Sequence, residues 1–314
     1  MEEDKTTNPH DHLTRLVFSR PEEAAGFFRE YLPKDIAELV SAERLHLEPT
    51  NFVDEALRGS VADLLYRLEI PDGEDTFLYC LFEHQSQPDH WMHLRLLRYM
   101  LRIWDGYLAQ YPKSHSLPLV IPILLHQGKQ GWTAATSFRE LFNIPGSLQE
   151  STRAFLPDFS FNLVDLKGLP FQEIRGTLLG CLALQALKAV SENRIEEFIN
   201  TSAGLLRNLF DAENPMDVVM ALLRYFYVTD HSIDKEGFNH MVKRIGTPLA
   251  KDTAMTIAEE YIEEGMQQGM QKGMQQGQKE IVLRMNASGM DVEQIVSLTG
   301  IAKANVLQYL ASGE

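Results

Sequence analysis

The spacing of hydrophobic residues changes its period along the chain, and each change predicts a new element. Residues 10–18 and 22–31 have helical spacing. Residues 60–70 and 76–82 are instead rich in alternating, aromatic and branched side chains, and the turn-forming run 71–75 separates them. Two helices followed by a strand hairpin are therefore predicted for the first third of the chain.

A third helix and a third strand follow the predicted hairpin. Residues 91–111 return to helical spacing and predict a helix, and residues 117–125 form a continuous apolar run, typical of a strand buried on both faces. The predicted helix carries one apolar stripe, formed by Leu94, Leu97, Leu101, Trp104 and Leu108. The order of elements predicts an α/β core over residues 8–128. Residues 129–250 predict a mainly helical extension.

Glycines recur every four residues in the C-terminal segment, 251–314. They are Gly265, Gly269, Gly273 and Gly277. Each glycine costs a helix about 1 kcal/mol, so a helix here needs close approach of a second helix, and we expect a homodimer through this repeat. The alternative is a flexible low-complexity linker. Residues 291–310 then form two short amphipathic pieces that resemble a helix-turn-helix, with too few basic residues to favour DNA reading.

Composition and charge restrict the class of protein. Hydrophobic residues make up 44% and charged residues 23%, as in packed globular proteins. No apolar run approaches the roughly 20 residues of a membrane helix, and the polar N-terminus is not typical of a signal peptide, so we expect a cytoplasmic protein without a membrane partner. The net charge of −15 argues against a protein that coats DNA, yet leaves room for a metal-dependent nuclease.

Carboxylates on the two predicted hairpin strands are the leading candidates for chemistry. Asp63 lies within an apolar run, and Glu83 and Gln85 share one face of the other strand, with His84 on the opposite face. If the strands pair, Asp63 comes close to Glu83, and two carboxylates with a carbonyl and waters suit Mg²⁺, Mn²⁺ or Ca²⁺. The alternative is a solvated strand end.

Three arginines follow on the next predicted helix at positions i, i+3 and i+7. Arg95, Arg98 and Arg102 would share one helix face and could hold DNA phosphates beside the carboxylates. The alternative is an ordinary solvated helix face.

Several short motifs are spread over nearly the whole chain. They are PHD at residues 9–11, GSVADLLY at 59–66, FEHQS at 82–86, IPI…HQG at 121–128 and the glycine-spaced tail. Together they resemble the Rpn family of recombination-promoting nucleases, also called YhgA-like putative transposases, of the PD-(D/E)XK superfamily. The resemblance implies a restriction-endonuclease-like mixed sheet flanked by helices, with helical elaborations and a helical tail. It also implies a Mg²⁺-dependent DNA endonuclease that promotes recombination.

The resemblance assigns a role to each matched residue. Asp63 and Glu83 would bind Mg²⁺ together with the backbone carbonyl of His84, and Gln85 would stand where the superfamily usually has lysine. Ala62 replaces the usual proline. Glutamine can hold a water but cannot supply positive charge. A catalytically weak or inactive DNA-binding or interaction protein of a mobile element or phage-defence system is therefore the alternative function.

Other acids are candidates for accessory roles near the metal. The first helix of the superfamily can contribute one, which implies Asp11 or Glu22 here. Asp165 lies beside apolar residues without an evident mechanism. A third function, a self-associating scaffold that works through the glycine repeat, also remains open.

Overall fold

The computed structural model describes residues 9–48, 64–70, 77–211, 221–222, 224–226, 229, 243 and 274–311. The chain divides into two compact units, Met1–Asp252 and Thr253–Glu314. In the described part of the chain, no helix is both long enough and apolar enough to cross a membrane.

The first unit is built on a mixed sheet of five strands that follow one another in chain order. The strands are β1 (Leu45–Glu48), β2 (Leu64–Glu69), β3 (Phe77–Gln85), β4 (Leu119–His126) and β5 (Asn162–Asp165). β1, β2 and β3 pair antiparallel, whereas β3, β4 and β5 pair parallel. The predicted α/β class with a mixed sheet is confirmed. The carboxyl ends of β3, β4 and β5 meet at one edge, where β2 begins.

Helices cover one face of this sheet through an aromatic cluster. They are α1 (Pro9–Phe18) and α2 (Pro21–Tyr31), with the short α3 (Lys34–Ala37) after α2, and α6 (Leu178–Glu192), from later in the chain, packs against α1 and α2. The rings of Phe18, Phe27 and Phe28 contact Phe82 of β3. Because Phe82 and His84 share a strand face, His84 also points toward these helices.

The other face packs against α4 (Met92–Gln110). Its buried residues contact Leu81 and Leu124 of the sheet and include Met92, Leu96, Tyr99, Ile103 and Tyr107. The predicted stripe is wrong: Leu101 is 50% exposed and Leu108 is 41% exposed. The true stripe lies one residue earlier, because tyrosines and His93 supply part of the apolar face that leucines were expected to fill.

The segment after β4 is less helical than predicted. It contains β5 and the short α5 (Gln149–Thr152) before α6 and α7 (Ile195–Asp211). The sheet therefore extends beyond residue 128, because β5 adds to the edge of β4. The hydrophobic pattern does not predict β5, because this strand has only four residues and two of them are polar.

The second unit has a small helical core of its own. Residues 274–287 are helical, and α8 (Val292–Thr299) and α9 (Lys303–Ala311) follow. Val282, Ile295, Ile301 and Val306 are buried together. Asp291 and Gln294 form a capping box at the start of α8, and Gly300, with φ 70°, ends it. The two predicted short helices are present, while Gly265, Gly269 and Gly273 lie outside the described residues.

Candidate active site at the carboxyl edge of the sheet

Glu83 is a buried carboxylate at the end of β3, on the face that packs against α4. Its side chain is only 1% exposed. Its Oε1 accepts hydrogen bonds from Gln85 Nε2 (2.8 Å) and from Arg95 Nη2. Its Oε2 is also buried and has no hydrogen-bond partner among the described residues. Burying a carboxylate oxygen without a hydrogen-bond partner raises the free energy of the folded protein, so a ligand bound to Oε2 would stabilise it.

The three arginines of α4 differ in their surroundings. Arg95 forms the ion pair with Glu83 and also approaches Asp89, with 3.4 Å between Nη1 and Oδ2. Arg98 is exposed and Arg102 is half-buried. The structure therefore brings the first of the three arginines into direct contact with the candidate site, and its guanidinium contacts a carboxylate of the protein.

His84 and Asp11 form a pair on the opposite face of the sheet. His84 Nδ1 lies 2.9 Å from Asp11 Oδ1, and the imidazole is fully buried. Asp11 of α1 thus anchors a side chain of β3. Its neighbour His10 bonds the Tyr225 hydroxyl through Nδ1 at 2.7 Å. Burial, and then the nearby His84, lower the pKa of His10 to about 4.

Glu22 lies exposed in the first turn of α2. Burial is the main cause of the raised pKa of Tyr66, and the charge of Glu22 adds to it. The described contacts therefore do not bring Glu22 to the candidate site.

His126 and Asp165 form a second pair, which the sequence analysis did not identify. β4 and β5 pair these residues in register, and His126 Nδ1 lies 3.0 Å from Asp165 Oδ1. Asp165 also accepts hydrogen bonds from the backbone N–H groups of Trp132 (2.7 Å) and Lys167 (3.1 Å). Asp165 therefore fixes the orientation of His126. A sequence signal did exist: each residue ends an apolar run, and parallel strands end at the same edge.

Gln85, His126 and Asp165 are successive register partners across β3, β4 and β5. Partners in register on parallel strands share a face, so this polar row lies on the same side as Glu83. His126 is fully buried, and its Nε2 has no hydrogen-bond partner in the described part of the chain. The carboxyl edge thus concentrates buried polar groups, as expected of a site that works on a ligand.

Asp63 lies outside the described residues, so its approach to Glu83 stays a prediction. The described residues contain no group of three His, Cys, Asp or Glu side chains that could hold a metal. Glu83 Oε2 nevertheless fits a hard cation, because it is a buried anionic oxygen without a partner in the described structure.

Comparison with known proteins decides the family. The family described as "Putative transposase, YhgA-like" matches residues 8–216, about two thirds of the chain. The chain belongs to this family.

Some of its relatives are named as nucleases, and another is named as an inactive nuclease-like protein. The chain is 31% identical to recombination-promoting nuclease RpnD of Escherichia coli O157:H7, over 81% of this chain and 94% of the relative. It is 29% identical to inactive recombination-promoting nuclease-like protein RpnE of Escherichia coli K12, over 98% and 99%. Recombination-promoting nuclease RpnA of the same strain is 26% identical over 82% and 85%. No solved structure matches the chain.

Proposed function

We propose that this protein is a Mg²⁺-dependent DNA endonuclease that promotes recombination and acts at the carboxyl edge of its sheet. The observation that carries the proposal is Glu83, a buried carboxylate with one oxygen lacking a partner among the described residues and with Gln85 bonded to the other. Relatives named recombination-promoting nucleases support the DNA substrate.

Asp63, Glu83 and the His84 carbonyl would hold the metal. Leu64, which follows Asp63 in the sequence, pairs with Phe82, which precedes Glu83. A bound Mg²⁺ would lower the pKa of a bound water and neutralise charge on the phosphodiester. Mn²⁺ and Ca²⁺ share the preference for oxygen ligands.

Gln85 is suited to orienting the attacking water. Its Nε2 already donates to Glu83, so its Oε1 is the atom that accepts a hydrogen bond from that water. A glutamine in this role positions the water without taking its proton. Arg95 holds the Glu83 side chain in place through its ion pair, while Arg98 and Arg102 would bind phosphates of the DNA.

A catalytically weak or inactive DNA-binding or interaction protein is the second candidate function. Two observations favour it. Gln85 stands where the superfamily usually has lysine, and the relative that spans 98% of this chain is named inactive.

Nicking of supercoiled plasmid separates these functions. The wild type should nick in Mg²⁺ and not in EDTA, and Asp63→Ala or Glu83→Gln should lower the rate about a hundredfold, the scale of removing one charge-stabilising group. Glu150→Gln, an exposed glutamate of α5, is the control and should keep wild-type activity. A folded wild type that binds DNA without nicking it supports the second function. Equal nicking by wild type and Glu83→Gln rules out this site.

A further inference from the structure

An open cleft of about 490 Å³ lies beside the same edge of the sheet. We call it the edge cleft. It lies between the segments that follow β3 and β4, and α1 and α6 contribute one residue each. Its lining includes His10, Ser86, Gln127, Lys129, Gln130 and Ser191. Because Asp11 of α1 contacts His84, α1 lies on the His84 face of the sheet, and the edge cleft lies across the sheet edge from the Glu83 side chain.

Gln127 is the one fully buried side chain of this lining that carries an amide. The residue is only 2% exposed, and its backbone N–H donates to the Gln85 carbonyl at 3.1 Å. Its Oε1 is buried and has no hydrogen-bond partner within the described ranges. A buried amide oxygen without a donor destabilises the free protein, so a ligand that donates a hydrogen bond to it would remove this cost on binding.

The chemistry of the lining selects the kind of ligand. Serines and glutamines dominate its described residues, and none of these residues carries a carboxylate. Lys129, a lysine of this described lining, is exposed, whereas the amide of Gln127 is buried. A ligand that fits has a neutral, hydrogen-bonding ring and an attached anion. The His10 ring adds an aromatic surface of the kind on which bases stack.

We propose that the edge cleft binds the base of an unpaired DNA nucleotide. This inference rests on the proposed function for the identity of the substrate. In duplex DNA the pairing edges of the bases are occupied, and a base must leave the stack to reach a side chain as buried as Gln127. The adjoining phosphate would then lie near Lys129.

A glutamine at this position makes the base contact tolerant of sequence. An amide presents an acceptor and a donor side by side, and each base offers a complementary donor next to an acceptor on one edge. The edge cleft therefore distinguishes a strand with bases from one without bases, and does not distinguish one base from another.

Binding to two short single strands tests this inference. Fluorescence anisotropy compares an octamer of thymidine with an octamer of abasic tetrahydrofuran units, which carry the same phosphates. Both are measured on Glu83→Gln in EDTA, so that no strand is cut. The thymidine octamer should bind about tenfold more tightly, the ratio that one base contact of about 1.4 kcal/mol produces.

Adding Gln127→Met should remove this ratio and leave abasic binding unchanged. Methionine has a similar size and lacks the unsatisfied oxygen, so the melting temperature should stay equal or rise. Gln110→Met, at the exposed end of α4, is the control and should keep the tenfold ratio.

Equal affinity for the two octamers would overturn the inference, and so would a preference for the thymidine octamer that survives Gln127→Met. A melting temperature lowered by Gln127→Met would also overturn it, because it would show that the protein already supplies a hydrogen bond to Oε1. Absence of plasmid nicking together with a tenfold ratio would overturn only the proposed nuclease activity.

Discussion

Replacing Gly128 with alanine puts a methyl group where the ring of His126 already lies. The new Cβ would be 2.4 Å from His126 Nε2, 2.6 Å from its Cε1 and 3.1 Å from the Ser86 carbonyl oxygen. The ring cannot move away freely. Asp165 holds its Nδ1, and Trp132 packs edge-on against it with ring centroids 5.3 Å apart.

The cost of Gly128→Ala follows from these contacts. Overpacking a buried site costs about 1–3 kcal/mol, and loosening the His126–Asp165 hydrogen bond adds about 1 kcal/mol. We therefore expect the free energy of unfolding to fall by about 2–4 kcal/mol, measured by urea denaturation. Gly204→Ala in α7 is the matched control, because no atom of the described residues lies within 4 Å of its new Cβ. It should stabilise the protein by about 1 kcal/mol.

A double-mutant cycle identifies the cause. On a His126→Ala background, Gly128→Ala should cost less than about 0.5 kcal/mol, because the ring that it strikes is gone. A wild-type free energy of unfolding for Gly128→Ala alone would refute the close approach of this glycine to His126.

Three further predictions concern pH, the water-orienting residue and the tail. The pKa of His10 is about 4 when folded and about 6.5 when unfolded, so the unfolded chain binds more protons between these values and stability falls as the pH drops from 6.5 toward 4. Between pH 7 and pH 5, urea denaturation should show that His10→Asn loses about 2 kcal/mol less stability than the wild type, whereas exposed His12→Asn should behave as wild type. In the nicking assay, Gln85→Ala should slow cleavage with little loss of DNA binding. Gln85→Lys should retain or raise the cleavage rate because it adds a cation. Equal cleavage rates for wild type and Gln85→Ala would show that Gln85 takes no part in cleavage. Light scattering should give the mass of a dimer, and leucine at Gly269 and Gly273 should shift it toward one chain; a wild-type mass of one chain at micromolar concentration contradicts the dimer.

Local patterns in the sequence predicted the elements better than their packing. The apolar run that becomes β4 and the alternation that puts Glu83 and Gln85 on one face are properties of a few neighbouring residues, so both could be identified. The predicted apolar stripe of α4 was displaced by one residue. Tyr99 and Tyr107 are buried because they pack against the sheet, and a local pattern in the sequence does not contain that contact.

The site was predictable in part for the same reason. The position of Arg95 after Gln85 suggested a shared location, and the structure adds the ion pair with Glu83. The pairing of His126 with Asp165 joins residues 39 positions apart, and it depends on the unpredicted β5. The position of each residue at the end of an apolar run was visible in the sequence, whereas their pairing depends on the strand register, which local spacing does not contain.

A crystal grown with Mn²⁺ tests the central claim most directly, because this ion can be located by its anomalous scattering and prefers the same oxygen ligands as Mg²⁺. The account predicts one peak about 2.0–2.6 Å from Glu83 Oε2 and from an Asp63 carboxylate oxygen, with the two carboxylates within about 6 Å of each other. Asp63 and Glu83 on opposite faces of the sheet, or a Glu83 that binds Arg95 and no metal at saturating Mn²⁺, would contradict it.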